Sequence, residues 1–321
     1  MRLQPAFMFL VGSLPIISAQ NVTLIDPLTR FGNMTLTIPP QGFPVLQSSF
    51  QVPPDCGETS YRGTGRLRGL RTLITGGDSG IGRATVIAFL REGAQVAINY
   101  LPIEESDAQD LAESLQSEGL SIERIPGNLL NETFCTHLVH EAARRLGGLD
   151  ILIGNAGYAG PQFGRNWQPI TNHSTAQLER VFRTNIFANF FLTRTAVPLL
   201  PRGGSIIFTT SGQAQGPNER MVDYGASKAA LSHIIHSFAR QLAPRGIRVN
   251  GVAPGLTYSP FLATAGFTNE MISTGLRETP PPFGRIEQPA ELAPLFVSLA
   301  DPSGTYISGN VYSATGATSF P

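Results

Sequence analysis

Cysteine is scarce in this sequence, with two residues among 321, Cys56 and Cys135. Two thiols are too few for a disulfide scaffold, and they exclude a zinc site built from cysteines. The two could pair with each other, but two unpaired thiols are the expected arrangement. No cluster of other metal-binding residues stands out, so we expect no metal in the functional site.

The chain also has few charged residues, 14% of the total, and no excess of either sign. Lys and Arg number 23, and so do Asp and Glu. The missing basic excess argues against a nucleic-acid partner and against binding to an anionic membrane. Hydrophobic residues make up 41% of the chain, which suits a globular protein with a large core and argues against disorder.

No apolar run is long enough to span a bilayer. The run Ala6–Leu14 follows Arg2, is closely followed by Pro15 and precedes small residues. This order is typical of a secretory signal, and we expect residues 1–19 to be a signal peptide that directs the chain to the secretory pathway or out of the cell. The alternatives are an apolar tail or a surface anchor, and a cytoplasmic location.

Four Asn-x-Ser/Thr sequons would be glycosylated only if the chain enters the secretory pathway and only where they are exposed. They begin at Asn21, Asn33, Asn131 and Asn172.

Residues 20–68 are rich in Pro, Gly, Thr and Gln and show no helical periodicity. Few apolar side chains there could form a core, so the pattern predicts an extended N-terminal arm rather than a domain. Such an arm packs on the body of the same or a neighbouring subunit.

From about residue 69 to residue 321, apolar strand segments alternate with amphipathic helical segments. This alternation predicts one α/β domain with a Rossmann-like, doubly wound parallel sheet of about seven strands. The predicted strands are 72–75, 96–98, 122–125, 150–153, 205–209, 247–252 and 310–312, and the predicted helices are 81–91, 104–117, 131–146, 174–196, 224–242 and 289–299.

A glycine-rich turn separates the first strand from the first helix. Glycines there let the backbone approach a pyrophosphate, and the helix N-terminus supplies N–H donors and positive potential. We therefore expect the turn to bind the phosphates of a dinucleotide through Gly76, Ser79, Gly80, Ile81 and Gly82.

The second strand ends in Asn99-Tyr100-Leu101, where an acidic residue would hold the ribose 2′-hydroxyl of NAD. No acid is present there, and Arg83 stands just past the glycine turn. This charge pattern favours NADP, with NAD possible if Arg83 is a solvated helix residue.

Further polar residues stand at the carboxyl ends of later strands, where ligands bind in such sheets. Asn155-Ala156-Gly157 follows the fourth strand and Ser211 the fifth, where a hydroxyl could hydrogen-bond a substrate carbonyl. Asn185, inside the long helix, could bridge to Lys228 through water. Each of these residues could instead be an ordinary loop or helix residue.

Tyr224 and Lys228 are four residues apart in a segment that favours a helix, which places them on one face. An ammonium beside a phenol favours the phenolate, so we expect Lys228 to lower the pKa of Tyr224 from about 10 toward the range of a general acid. The alternative is an ordinary surface pair.

Taken together, these motifs resemble the short-chain dehydrogenase/reductase family, and several stretches, the arm included, resemble its branch of bacterial general-stress oxidoreductases and plant glucose/ribitol dehydrogenase homologues. The motifs are TGxxxGIG at 75–82, NAG at 155–157, Asn185, Ser211, YxxxK at 224–228 and Pro254-Gly255.

The resemblance implies hydride transfer between a nicotinamide and a carbonyl or alcohol carbon. It implies that Tyr224 is the general acid or base, that Lys228 lowers its pKa and binds the nicotinamide ribose, that Ser211 polarises the carbonyl, and that Asn185 supports a proton-relay water. It also implies that Pro254, Gly255 and Thr257 border the nicotinamide, and that the protein is a homo-oligomer, commonly a tetramer, with the long helices 176–196 and 224–242 at an interface.

Two positions depart from the family pattern. Gly154 replaces an Asn that often ties neighbouring strands, and Asn128-Leu129 replaces the Asp-Leu that contacts adenine. These changes put the affinity for the cofactor in doubt rather than the chemistry.

The segment Leu256–Arg285 is the predicted substrate lid, and its apolar side chains suggest a hydrophobic carbonyl compound or aldehyde rather than a free sugar. The alternative is that these side chains simply bury the lid. The main hypothesis is therefore an NADPH-dependent reductase of a small carbonyl compound. The alternatives are a non-catalytic cofactor-binding protein with the same fold and, if the signal functions, a secreted structural or interaction protein.

Overall fold

A computed structural model describes residues 23–32, 34–40, 42–161, 163 and 167–318. Within them, seven strands form one sheet in which every neighbouring pair is parallel. The strands are β1 Arg71–Thr75, β2 Gln95–Tyr100, β3 Ile122–Pro126, β4 Ile151–Gly154, β5 Ser205–Thr209, β6 Arg248–Pro254 and β7 Val311–Ala314.

The strand order is β3-β2-β1-β4-β5-β6-β7. The chain first winds outward from β1 through β2 to β3, then returns to place β4 on the other side of β1. Leu73 in β1 pairs with Ala97 of β2 on one side and with Leu152 of β4 on the other. The crevice above β1 and β4 is thus the switch point where ligands bind in such sheets, and the predicted doubly wound α/β fold is confirmed.

Nine α-helices lie among the described residues. They are α1 Gly80–Arg91, α2 Glu105–Gln116, α3 Glu132–Leu146, α4 Thr175–Phe182, α5 Ala188–Ala196, α6 Val222–Leu242, α7 Pro260–Thr264, α8 Asn269–Glu278 and α9 Pro289–Ala300.

Local sequence signals set several helix ends. The side chain of Asn131 accepts a hydrogen bond from the Phe134 amide and caps the start of α3, while Gly147 ends this helix in the left-handed conformation. The long helix α6 extends over 21 residues that contain no proline.

Apolar cores cover both faces of the sheet. Side chains of α1, α2 and α9 pack on one face, and those of α3, α5 and α6 pack on the other. Because both faces are covered, the strands are almost entirely buried, as in Ile151–Gly154 and Ser205–Thr209. A third apolar cluster lies beyond the carboxyl ends of the strands, between the lid and the N-terminal arm.

Two segments differ from the sequence prediction. The expected single helix over 174–196 is interrupted by a π-helical turn at Arg183–Phe187, between α4 and α5. The lid, for which the sequence predicted no helix, contains the helices α7 and α8. Both short lid helices begin after residues in extended backbone, Ser259 and Thr268, a conformation typical of an N-cap position.

The described part of the arm packs against the body of the same chain and buries Ile38, Val45 and Phe50. Cys56 and Cys135 are both buried and unpaired, as predicted. None of the helices that the structure describes is long and apolar enough to cross a membrane. The predicted signal peptide lies outside the described residues.

Candidate active site

A cavity of about 830 Å³ opens at the carboxyl ends of the strands, above β1 and β4. All of the site residues predicted from the sequence line it except Gly82 and Asn185. The lining residues of that set are Gly76, Ser79, Gly80, Ile81, Asn99, Tyr100, Asn128, Leu129, Asn155, Ala156, Gly157, Ser211, Tyr224, Lys228, Pro254, Gly255 and Thr257.

The glycine turn has the geometry that close backbone approach requires. Gly76 and Gly80 adopt positive φ angles of 60° and 50°, which side chains disfavour. A Cβ at Gly82 would lie 1.7 Å from the carbonyl oxygen of Gly76, so only glycine lets α1 approach β1 this closely. Gly82 therefore shapes the turn from behind, while the start of α1 faces the cavity and fits a pyrophosphate.

Asn155 ties three strands together beneath the cavity. Its Nδ2 atom donates to the carbonyl oxygens of Thr75 (3.1 Å) and Gly76 (3.0 Å), and its Oδ1 atom accepts from the Thr209 hydroxyl (3.0 Å). Its own amide and that of Ala156 donate to the Thr75 hydroxyl. This side chain thus positions the glycine turn against β4 and β5.

At the other end of the cavity, Asn99 is buried, and its Nδ2 atom donates to the carbonyls of Ile125 and Gly127, both at 3.1 Å. The Oδ1 atom of Asn128 accepts the Leu130 amide at 3.0 Å. Because an amide oxygen has two lone pairs, this bond leaves Asn128 able to accept a second donor such as the adenine amino group.

Arg83 does not lie at the cofactor site, where the argument for NADP from its positive charge had placed it. Its guanidinium is buried behind the glycine turn and is paired with Glu58 (2.9 Å) and Asp110 (2.8 Å). It does not line the cavity. The reason is local, because α1 turns this side chain toward the arm and α2, which sequence spacing alone did not show.

Two acids that the sequence analysis did not single out line this end of the cavity, Asp78 in the glycine turn and Glu104 just before α2. Burial raises the pKa of Asp78 to about 8, with a further contribution from the charge of Glu104. Burial also raises the pKa of Glu104. The sequence signal that could have identified Asp78 is its position within the glycine motif.

Ser211, Tyr224 and Lys228 meet beside β5 and are all at least nine-tenths buried. Ser211 follows β5 in extended backbone, and the first two turns of α6 carry Tyr224 and Lys228 on one face. The Ser211 hydroxyl accepts the Gln213 amide at 3.1 Å and lies near enough to Tyr224 to lower its pKa. The Nζ atom of Lys228 donates to the Thr209 carbonyl at 2.8 Å and lies 5.6 Å from the centre of the Tyr224 ring.

The expected direction of the Tyr224 pKa is wrong in this structure. Burial raises the pKa of Tyr224 to about 12, and only the neighbouring Ser211 hydroxyl lowers it. Burial also lowers the pKa of Lys228 to about 7. Desolvation penalises the charged form of each group, the phenolate of Tyr224 and the ammonium of Lys228.

Asn185 lies in the π-helical turn, fully buried, and its amide binds protein groups rather than facing the cavity. Its Oδ1 atom accepts the Tyr158 amide, and its Nδ2 atom donates to the Tyr158 carbonyl and the Ser227 hydroxyl, all at 2.9 Å. A Cβ at Gly157 would lie 3.6 Å from this Oδ1 atom and 3.4 Å from Nζ of Lys228, so the Asn185 oxygen and the lysine approach each other across Gly157.

The lid supplies apolar lining through Phe261, Leu262, Phe267 and Phe283. Tyr258, an aromatic residue of the lid segment, is fully buried and binds the arm instead of lining the cavity. Two further contributions were not predicted. Phe43, Pro44 and Val45 of the arm line the cavity, and so does Glu287, whose carboxylate accepts the Thr257 hydroxyl at 3.0 Å.

Burial raises the pKa of Glu287 to about 8.

Among the residues that the structure describes, no group of three or more His, Cys, Asp or Glu side chains could hold a metal ion.

Comparison with known proteins places this arrangement in a family. A family model described as "Enoyl-(Acyl carrier protein) reductase" matches residues 76–317. The uncharacterized oxidoreductase YghA of Escherichia coli (strain K12) is 43% identical over 91% of this chain and 97% of its own length.

NADPH-dependent aldehyde reductase 1 of Arabidopsis thaliana is 41% identical over 85% of this chain and 92% of its own. General stress protein 39 of Bacillus subtilis is 37% identical over the same shares.

Among solved structures, a short-chain dehydrogenase from Burkholderia cenocepacia in complex with NADP matches with a TM-score of 0.69 and 29% identity. The match covers 78% of this chain and 98% of that one. The parallel sheet, the glycine turn and these relatives all indicate the same family. The chain belongs to the short-chain dehydrogenase/reductase family, whose members are oxidoreductases that interconvert carbonyl and alcohol groups with a nicotinamide cofactor.

Proposed function

We propose that this protein reduces an aldehyde or ketone with NADPH, using Tyr224 as the proton donor. The observation that carries this proposal is the buried cluster of Ser211, Tyr224 and Lys228 on the cavity that the glycine turn also lines. When bound, the cofactor supplies or accepts the hydride.

The residues present fit that cofactor. The glycine turn, in which Gly76 and Gly80 adopt positive φ and Gly82 is packed too closely for a Cβ, would hold the pyrophosphate. Asn99, Tyr100, Asn128 and Leu129 line the part of the cavity suited to an adenosine. Pro254, Gly255 and Thr257 line the part near Tyr224 and would border the nicotinamide.

Within the cluster, the Tyr224 phenol is protonated at neutral pH because its pKa lies well above 7, and it would donate this proton to the carbonyl oxygen as that oxygen gains negative charge. Ser211 would hold the same oxygen by a second hydrogen bond and polarise the carbonyl. Lys228 would bind a ribose hydroxyl and return a proton to Tyr224. Asn185 acts as a positioning residue, because its amide holds the segment that follows β4.

NADP is favoured by the relatives, since the Arabidopsis reductase is NADPH-dependent and the Burkholderia structure holds NADP. The end of β2 carries no acid that would exclude a 2′-phosphate. Asp78 and Glu104 line the same end of the cavity, and in their charged forms they would favour the alternative, NAD. Burial raises the pKa of both acids and so weakens this effect. The ratio of kcat/KM for NADPH and NADH decides this point, and a ratio above about ten supports NADP.

A panel of aldehydes, ketones, quinones and sugars with NADPH and NADH tests the activity itself. Steady cofactor consumption that is lost in Tyr224→Phe supports the proposal. The alternative is a non-catalytic cofactor-binding protein on the same fold. Cofactor binding without consumption on any panel compound supports that alternative and contradicts the reductase.

We also propose a homo-oligomer, a tetramer in keeping with the family resemblance, formed through the outer faces of the α4–α6 region. Leu178, Phe187, Phe190 and Val222 are each more than two-fifths exposed there, which is unusual for large apolar side chains on one side of a monomer. Light scattering of the wild type and of Phe187→Asp tests this. A charge at the interface should weaken the assembly and lower the molar mass measured in solution.

The division of the chain into a signal peptide at 1–19, an arm at 20–68 and a catalytic domain at 69–321 remains a proposal. The family match begins at residue 76, which supports the last boundary. Asn131 and Asn172 are exposed, whereas Asn21 and Asn33 lie outside the described residues. Mass spectrometry of the mature N-terminus and of glycans on these four residues tests secretion, and an intact Met1 contradicts it.

A further inference from the structure

The N-terminal arm crosses the active-site cleft and is attached on both sides of it. On the lid side, the hydroxyl of Tyr258 is hydrogen-bonded to the backbone of Thr37 and to the Val52 carbonyl (2.8 Å). Nearby, the side-chain amide of Asn269 in α8 exchanges two hydrogen bonds with the backbone of Ile38. The arm is therefore joined to the lid by specific polar contacts.

On the cofactor side, the arm is attached to the glycine turn. The Oε1 atom of Gln47 accepts the Gly80 amide at 2.8 Å, and both residues are buried. The carboxylate of Asp107 in α2 accepts the backbone amides of Gln47 (2.5 Å) and Ser48 (3.1 Å). These contacts satisfy polar groups that would otherwise be buried without partners.

Between these two attachments, residues 43–45 face the cavity. The Phe43 ring packs edge-on against Tyr158, with ring centres 5.1 Å apart, and the guanidinium of Arg180 lies 4.1 Å from the centre of the Phe43 ring. Val45 belongs to the buried apolar cluster that contains Tyr224 and Leu262. The middle of the arm thus shares a cavity and an apolar cluster with the proposed proton donor.

We propose that Phe43, Pro44 and Val45 form one wall of the substrate site and select carbonyl compounds with an aromatic or bulky apolar substituent. This inference rests on the proposed reductase function. The lid adds further apolar lining, because Phe261, Leu262 and Phe267 line the same cavity.

Burial of an apolar substituent between two such walls is favourable, and each additional apolar contact discriminates between substrates by about tenfold or more. A short aliphatic aldehyde does not reach Phe43 and gains little from it. The wall therefore affects the choice among substrates rather than proton transfer, which depends on Tyr224.

The test compares benzaldehyde with propanal, both with NADPH, in the wild type, Phe43→Ala and Val45→Ala. Phe43 is 44% exposed, so its truncation leaves the fold intact even if Val45→Ala lowers stability. We expect kcat/KM for benzaldehyde to fall about tenfold in Phe43→Ala and that for propanal to change less than about twofold. Leu24→Ala is the matched control, since Leu24 is an apolar arm residue that is 93% exposed and does not line the cavity.

Equal changes in kcat/KM for both aldehydes, or no change in either variant, would contradict the proposed substrate wall while leaving the reductase function intact. If the wild type reduces no carbonyl compound, the proposed function fails by itself. The dissociation constant of benzaldehyde in the presence of NADP⁺, measured by ligand-observed NMR, then decides the inference without turnover. A rise of about tenfold in Phe43→Ala supports the wall, and an unchanged constant or no binding to the wild type overturns it.

Discussion

The side chain of Asn189 occupies the space beside Gly154 that any larger residue at position 154 would need. A Cβ built on Gly154 would lie 2.2 Å from Oδ1 of Asn189 and 2.7 Å from a ring carbon of Phe208. Asn189 is buried in α5, and its Nδ2 atom donates to the Asn185 carbonyl at 2.8 Å. The departure from the family pattern at Gly154 is therefore compensated by a side chain from a neighbouring helix.

From this packing we expect Gly154→Ala to lower the free energy of unfolding by about 1–3 kcal/mol, because the site has no room for a methyl group. In the double variant Gly154→Ala/Asn189→Ala, part of that loss should be recovered, since the closest contact is gone. Urea unfolding of the two single variants and the double variant gives the coupling. Strict additivity would show that Asn189 does not fill this space.

Replacing Tyr224 by Phe removes only the phenolic hydroxyl from a buried site. We expect turnover to fall by about 10²–10⁴-fold because the proton donor is lost. The dissociation constant for NADPH, measured by its fluorescence, should stay within about twofold of the wild-type value. Ser211→Ala is a useful comparison, since it removes one hydrogen bond to the substrate oxygen but keeps the donor. Full activity in Tyr224→Phe would contradict the proposed role.

Lys228 should make stability rise with pH. Burial lowers its pKa from 10.5 to about 7 in the folded protein. Between these two values the unfolded chain holds the proton and the folded protein does not, so raising the pH favours folding by up to about 1.4 kcal/mol per unit. Below about pH 7 both states carry the proton, and the dependence on pH ends. The difference in unfolding free energy between wild type and Lys228→Met, measured at pH 7.5 and 9.5, should grow in favour of the wild type.

Glu287 should have the opposite effect to Lys228 and make stability fall as the pH rises. Burial raises its pKa from 4.5 to about 8, with smaller opposing contributions from the Thr257 hydrogen bond and the Arg285 charge and a reinforcing one from Glu291. Its contribution to stability is present below pH 4.5 and is lost as the pH rises through 8. Glu287→Gln keeps a neutral group that can still accept the Thr257 hydroxyl. We expect wild type and variant to be equally stable at pH 4.5 and the variant to be more stable at pH 9.

The sequence predicted the sheet well because strand and helix periodicity is local information. All seven strands lie where the alternation placed them, and the spacing of Tyr224 and Lys228 places both on one face of α6. Ser211 lies near them because the carboxyl end of β5 and the start of α6 share one edge of the sheet. These relationships follow from the topology of the fold.

What the sequence did not show depends on side-chain direction and on distant packing. Arg83 was expected near the cofactor, but its partners Glu58 and Asp110 come from the arm and from α2. The pKa of Tyr224 was predicted from a neighbouring charge, whereas burial decides its direction. The Asn189 side chain fills the space that a side chain at position 154 would need, and this too depends on a contact between a strand and a helix.

The arm also affects the order in which the protein can be completed. Thr37 and Ile38 leave the ribosome early, yet their hydrogen-bond partners, Tyr258 and Asn269, follow 221 and 231 residues later. Contacts this distant in sequence form late, because a long loop must close first. The first segment of the described chain to be synthesised is therefore among the last to reach its place, and a nascent chain that ends before the lid has a sheet without a finished cleft.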